Sequence, residues 1–166
     1  MDQAELKAAQ APLKARYRED PAAALVTLHA DGRLGAEGVA CSVATGRRLV
    51  EAGLHPATGG TGLLACSGDM LLEALVACAG VTLRAVATSL GLDVRGMVHA
   101  EGDLDFRGTL GVAKEEEVPV GFRAIRLRFD LEHDEDDEAI ARLLVLTERY
   151  CVVFQTLTGG VPVSVS

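Results

Sequence analysis

The sequence contains no tryptophan, two tyrosines and four phenylalanines. Aromatic side chains therefore contribute little to any core, and Leu, Val and Ala must build it. Positive charge is also scarce: 16 Lys and Arg stand against 24 Asp and Glu, a net charge of −8. With nothing to offset phosphate repulsion, no nucleic-acid partner is expected. The four cysteines, Cys41, Cys66, Cys78 and Cys151, include no CxxC pair, which removes zinc-ribbon and thioredoxin-type readings. The four histidines (His29, His55, His99 and His133) form neither HxH nor HxxxH; each reads as a surface or strand-facing residue, and no metal is expected. There is no GxSxG elbow. The run Gly59-Gly60-Thr61-Gly62 lacks both the GK[ST] ending and the GxGxxG spacing, so it reads as a flexible connection and not a phosphate loop. The opening residues, MDQAELKAAQAPLKARYRED, are charged and lack an apolar core segment. They carry no secretory signal, and a cytoplasmic location is expected. In a reducing cytosol a structural disulfide is disfavoured, and each thiol taken alone reads as a small buried hydrophobe.

What is present suits one α+β domain. The 166 residues are 49% hydrophobic, enough for a real core, and disorder is not expected. Residues 1–22 read as an N-terminal helical arm, broken at Pro12 and ending near Asp20-Pro21, with a domain over 23–166. AALVTLHADGRL reads as a strand meeting a turn at Asp31-Gly32. GVACSVAT is a second strand, with Val39, Cys41 and Val43 on one face, and residues 47–52 are a candidate third. The stretch from Ser67 to Arg84, SGDMLLEALVACAGVTLR, is the centre of the chain. Ser67 or Asp69 can cap a helix there. Leu71, Leu72, Leu75, Val76, Ala79, Leu83, Val86, Ala87 and Leu90 cover nearly every face, which predicts burial on most sides. Gly91 suits the left-handed position after the helix. Asp69, Glu73 and Arg84 interrupt the apolar window and no basic belt flanks it, so a core helix is expected and not a membrane span.

Two or three strands follow. VRGMVHAEGDLDF alternates weakly. In GFRAIRLRFDLEHD, Ile125, Leu127, Phe129 and Leu131 share a face while Phe122 is out of phase. The acidic run from Asp134 to Glu138 reads as the opening of a helix, where acids favour the positive end of the dipole. That helix continues through ERYCVVFQTL to Gly159-Gly160, and VPVSV closes as a strand with Pro162 at an edge. Short connections between the strands predict antiparallel pairing.

Cys78 and Cys151 are both expected inside helices. A thiol becomes reactive when nearby positive charge or a helix N-terminus stabilises its thiolate. Cys78 lies deep in its own helix, so that dipole gives little help and an arginine from elsewhere is expected. Arg16, Arg18, Arg33, Arg47 and Arg48 all precede the helix, and spacing alone does not choose among them.

The segments CSGDMLLEALVACAGVTL and CVVFQTLTGGVPV resemble the OsmC/Ohr family of thiol-dependent peroxidases, in its OsmC-like branch. Each cysteine is followed by a Thr-Leu pair, Thr82-Leu83 and Thr156-Leu157. The resemblance covers about residues 24–166. It implies an intertwined homodimer with antiparallel sheets wrapped around two central helices. It further implies a cysteine-based peroxidase for organic hydroperoxides, with hydrogen peroxide left open as a second substrate. Cys78 would be the attacking thiolate and Cys151 the thiol that closes a disulfide with it. A dithiol reductant would reset the pair, and no bound cofactor is implied. The family's acidic pair falls on Gly68-Asp69, and Ser67 replaces its proline. The activating arginine of one branch falls on Ala30; in another branch its segment holds Arg47 and Arg48, which are favoured with Asp69 as activating residues. Cys66 and Cys41 read as an incidental and a core thiol. The alternative function is an OsmC-fold dimer that binds a small apolar or acyl ligand, with structural thiols.

Overall fold

A computed structural model describes residues 3–34, 41–43, 52–114 and 117–165. The chain is α+β. Helix α1 (Gln3–Glu19) leads through a 3-10 turn (Pro21–Ala24) into β1 (Leu25–Leu34), β2 (Cys41–Val43) and β3 (Ala52–Gly53). A second 3-10 turn (Pro56–Thr58) precedes β4 (Ala65–Cys66) and the long α2 (Ser67–Leu90). Then come β5 (Arg95–Asp105), the single turn α3 (Phe106–Thr109), β6 (Phe122–Glu132), α4 (Asp137–Tyr150) and α5 (Val152–Gly159).

One sheet has the order β2-β1-β5-β6, and β3 and β4 form a separate parallel pair. Strands β1 and β2 are antiparallel, with Gly32 opposite Val43 and Leu34 opposite Cys41. Strands β5 and β6 also run in opposite senses: Glu101 stands beside Arg126, and Gly96 beside Asp130.

The residues group into two compact units. The first comprises Met1–His29, Thr45–Leu72 and Glu101–Arg126. Within it Tyr17 is buried and donates its hydroxyl to the Ala57 carbonyl at 2.8 Å. The His55 ring stacks on Phe106 at 4.9 Å. Asp105, fully buried, accepts a bidentate pair of hydrogen bonds from Arg107, which holds its carboxyl below the usual range against the opposing effect of burial. The second unit comprises Ala30–Ala44, Glu73–Ala100 and Leu127–Ser166. Its core is Leu75, Val76, Ala79, Leu83, Val94, Val98 and Leu143. Leu, Val and Ala thus carry it, as the shortage of aromatics requires.

Several expectations are corrected. Pro12 does not break α1 but lies inside it. Asp31-Gly32 is not a turn, because β1 continues through it to pair with β2. The buried residues of α2 form one stripe, Leu72, Leu75, Val76, Ala79, Leu83, Val86 and Ala87, at the spacing of a single helical face. Met70, Leu71 and Val81 are exposed, so burial on most sides does not occur within one chain. Residues 161–165 form no strand; Val163 and Val165 are 89% and 99% exposed, and no strand among the described residues pairs with them. Residues 47–51, the candidate third strand, lie outside the described residues apart from Ala52, which opens β3.

Other expectations hold. Gly91 follows α2 at φ +72. Asp136 caps α4 by accepting from the Ala139 N–H at 2.7 Å, with Asp137 and Glu138 in the first turn. Phe122 departs from the alternation of β6, and its ring occupies the space that a Cβ on Gly102 would need.

Gly96 gives a structural prediction. Its φ is +137, and a Cβ there would stand 2.0 Å from the Asp130 carbonyl oxygen. Backbone cannot yield as a side-chain tip can. Gly96→Ala is expected to lower stability by about 2–4 kcal/mol, read as a fall in the denaturant midpoint. An unchanged midpoint would refute the close approach of β5 and β6 here.

Candidate active site

Cys78 sits midway along α2, half-buried, in the second unit. Cys151 is not inside a helix, contrary to expectation. It is the junction residue itself, closing α4 and opening α5 with extended backbone at φ −73, ψ 105. Its N–H still donates to the Thr147 carbonyl at 2.9 Å, and its carbonyl accepts from the Gln155 N–H at 2.9 Å. The Gln155 side-chain amide donates to the Glu148 carbonyl at 2.9 Å, which satisfies an acceptor left open by the end of α4. The chain therefore changes direction at Cys151 without orphaning these groups.

The break has a chemical consequence. A helix start leaves its first N–H groups without intrahelical partners. At α5 those groups belong to Val152 and Val153, and both act to lower the pKa of the Cys78 thiol. The Cys151 thiol and the Thr82 hydroxyl act in the same direction. Burial pushes the Cys78 thiol up, but the four donors outweigh it and hold its pKa below the ordinary thiol value. Cys151 moves the other way. It is 0% exposed; burial pushes its thiol up, the Phe154 N–H opposes this, and the Cys78 sulfur raises it further, to about 11. The result is one thiol inclined to ionise and a neighbour that keeps its proton. Both are free thiols.

The groups that lower the Cys78 pKa are ones the sequence reading did not name, and they leave the expected activating residues untested. Arg47 and Arg48 lie outside the described residues. Asp69 is in the first turn of α2, more than two helical turns before Cys78. Sequence reasoning considered only the dipole of the helix that carries Cys78. It missed the start of α5, because the run ERYCVVFQTL shows no Gly or Pro to mark the break. Thr82 was visible only as half of a recurring Thr-Leu pair.

The other two cysteines are elsewhere. Cys41 is in β2. Cys66 is half-buried at the end of β4 and lines a cavity of about 340 Å3 in the first unit, with His55, Leu71, Phe106 and Phe122.

The family model for OsmC-like protein matches residues 60–166, a stretch that includes both Cys78 and Cys151. The chain belongs to the OsmC-like family. No curated protein matches it. Among solved structures, the OsmC-like chain is similar to an OsmC-like hydroperoxide resistance protein from Jannaschia sp. CCS1. The TM-score is 0.52 at 18% sequence identity, over 86% of this chain and 91% of that one. At that identity the likeness establishes the fold, and it spans both units of this chain.

Proposed function

We propose that this OsmC-like protein is a thiol peroxidase that reduces organic hydroperoxides through Cys78 and Cys151. The observation that carries the reading is the lowered pKa of Cys78, held down against burial by the Val153 N–H, the Cys151 thiol, the Thr82 hydroxyl and the Val152 N–H. The name of the structural neighbour, a hydroperoxide resistance protein, supports the same chemistry. The Cys78 thiolate attacks the O–O bond. An S–O bond forms as the O–O bond breaks, and the departing alkoxide takes up a proton to leave as alcohol. Cys78 is then a sulfenic acid. The Cys151 thiol gives up its proton and attacks that sulfur, expelling the oxygen as water and forming the Cys78–Cys151 disulfide. An external dithiol reduces the disulfide by thiol exchange and is itself oxidised. No bound cofactor takes part. A second copy of the chain is the proposed cover for the exposed apolar residues Met70, Leu71 and Val81 on α2 and Val152 and Leu157 on α5. The free thiols suit a cytoplasmic, reducing setting.

The test is turnover of cumene hydroperoxide by the purified protein with dihydrolipoamide as dithiol. Catalytic consumption, with a disulfide linking Cys78 and Cys151 in protein trapped before reduction, is the expected result. A second reading, binding of a small apolar or acyl ligand, is favoured by the cavity beside Cys66. It predicts tight binding of a medium-chain fatty acid, seen by native mass spectrometry, and no peroxide consumption.

A further inference from the structure

The cavity of about 340 Å3 beside Cys66 lies wholly within the first unit. Leu54, Leu71, Leu104, Phe106, Val120 and Phe122 give it a mostly apolar wall, and none of its lining residues is Asp, Glu, Lys or Arg. A concave apolar surface with a few placed polar groups is the usual form of a small-molecule site. Two of the polar groups are already committed. Thr58 donates its hydroxyl to the His55 carbonyl at 2.9 Å, and Thr109 donates to the Val120 carbonyl at 3.4 Å. His55 is different. Its Nδ1 accepts from the Ala57 N–H at 3.0 Å, which places the proton of the neutral ring on Nε2. Its face stacks on Phe106. The ring is thus fixed at one edge and one face, and among the described residues its Nε2–H meets no partner. That leaves one oriented donor on an apolar wall. Ser67 and Gly68 line the same cavity and open α2, whose positive end favours a negative head group over a positive one.

We propose that this cavity binds a small apolar monocarboxylic acid, its chain against the Leu and Phe wall and its carboxylate accepting from the His55 Nε2–H. The proposal rests on the second reading given above, that the cavity takes a small molecule, and names the head group and the residue that selects it. It does not depend on the chemistry of Cys78. At about 30 Å3 for each non-hydrogen atom, as for water, the volume holds about ten of them, and octanoate is of that size. A carboxylate accepts and does not donate, so it matches a lone N–H at the positive end of a helix. An ammonium group of equal size offers only donors and the wrong charge. Asp69, in the first turn of α2, is not among the lining residues. Cys66 is half-buried and does line the cavity, so its thiol reports on occupancy: a bound acid shields it from alkylation.

The experiment treats the full protein with iodoacetamide in the presence of octanoate or octylamine and reads alkylation at each cysteine by mass spectrometry. Saturating octanoate is expected to slow alkylation of Cys66 about tenfold and to leave Cys78 within about twofold of its rate without ligand. Octylamine is expected to need about ten times the concentration for the same shielding, the size of one hydrogen bond to a charged group. His55→Asn keeps an acceptor for the Ala57 N–H and is too short to present the Nε2 donor. It is expected to weaken octanoate about tenfold and leave octylamine within about twofold, so that the preference for the acid disappears. Equal losses for the two ligands overturn the proposal, because they would trace to the lost stack on Phe106. Shielding of Cys78 in place of Cys66 also overturns it. Octylamine shielding as well as octanoate does in the parent overturns the carboxylate assignment and leaves the second reading standing. No shielding by either ligand sinks both. If circular dichroism shows that His55→Asn does not fold, the comparison of the two ligands in the parent decides alone. No step uses a peroxide, so every outcome leaves the peroxidase reading to its own assay.

Discussion

Cys78→Ser is expected to reduce hydroperoxide consumption to the background rate of the free dithiol, a loss of more than about a thousandfold. The reason lies in the protonation state of the attacking atom. The donors from Val153, Cys151, Thr82 and Val152 favour a thiolate at position 78. A serine hydroxyl in the same place stays protonated near neutrality. The substitution is nearly isosteric on the half-buried α2 surface, so fold stability should change little. Circular dichroism and the denaturant midpoint separate loss of chemistry from loss of structure. Parent-level consumption by a folded Cys78→Ser protein would remove Cys78 from the mechanism, and attention would pass to the cavity beside Cys66.

Cys151→Ser should have an equally large effect on a different step. Serine cannot form the disulfide, so reaction with the first equivalent of hydroperoxide should stop at the sulfenic acid of Cys78. That species is trapped by dimedone and seen as a single adduct on the peptide bearing Cys78. Excess hydroperoxide should carry it on to the sulfinic acid, which the dithiol does not reverse. The parent should show neither product, because the neighbouring thiol captures the sulfenic acid first. The raised pKa of Cys151, about 11, also sets a sign. Its proton is retained in the resting pair, where it stabilises the Cys78 thiolate. Burial, the largest cause of the rise, stays in place, but once the negative charge on Cys78 has been spent on the peroxide the smaller contribution from the Cys78 sulfur is gone, and the thiol ionises somewhat more readily for the second step. If dimedone labels Cys78 equally in parent and Cys151→Ser, Cys151 is not the partner that closes the disulfide.

Much of the architecture is legible in the sequence. Apolar residues at helical spacing mark α2, an acidic run marks the start of α4, and Gly91 marks the end of α2. Alternation marks β6 down to the misfit at Phe122. These are local signals, because side-chain period and end-capping act within a few residues of the chain. The expectations that failed share a different character. Pro12 is accommodated within α1. Asp31-Gly32 stays in a strand because β2 pairs with it. The VPVSV segment alternates well enough for a strand but pairs with no strand among the described residues. Each outcome depends on what lies across from the segment, and local pattern does not carry that information.

The same division holds at the thiols. The sequence by itself determined that this is an acidic, aromatic-poor α+β chain with two cysteines, each followed at short range by Thr-Leu, in the pattern of the OsmC-like family. It could not determine what stabilises a Cys78 thiolate, since that depends on atoms 70 or more residues away along the chain. Among the described residues, tertiary structure supplies groups that favour it: the last helical run breaks at Cys151, and the Val153 and Val152 N–H groups and the Cys151 thiol lower the Cys78 pKa against burial.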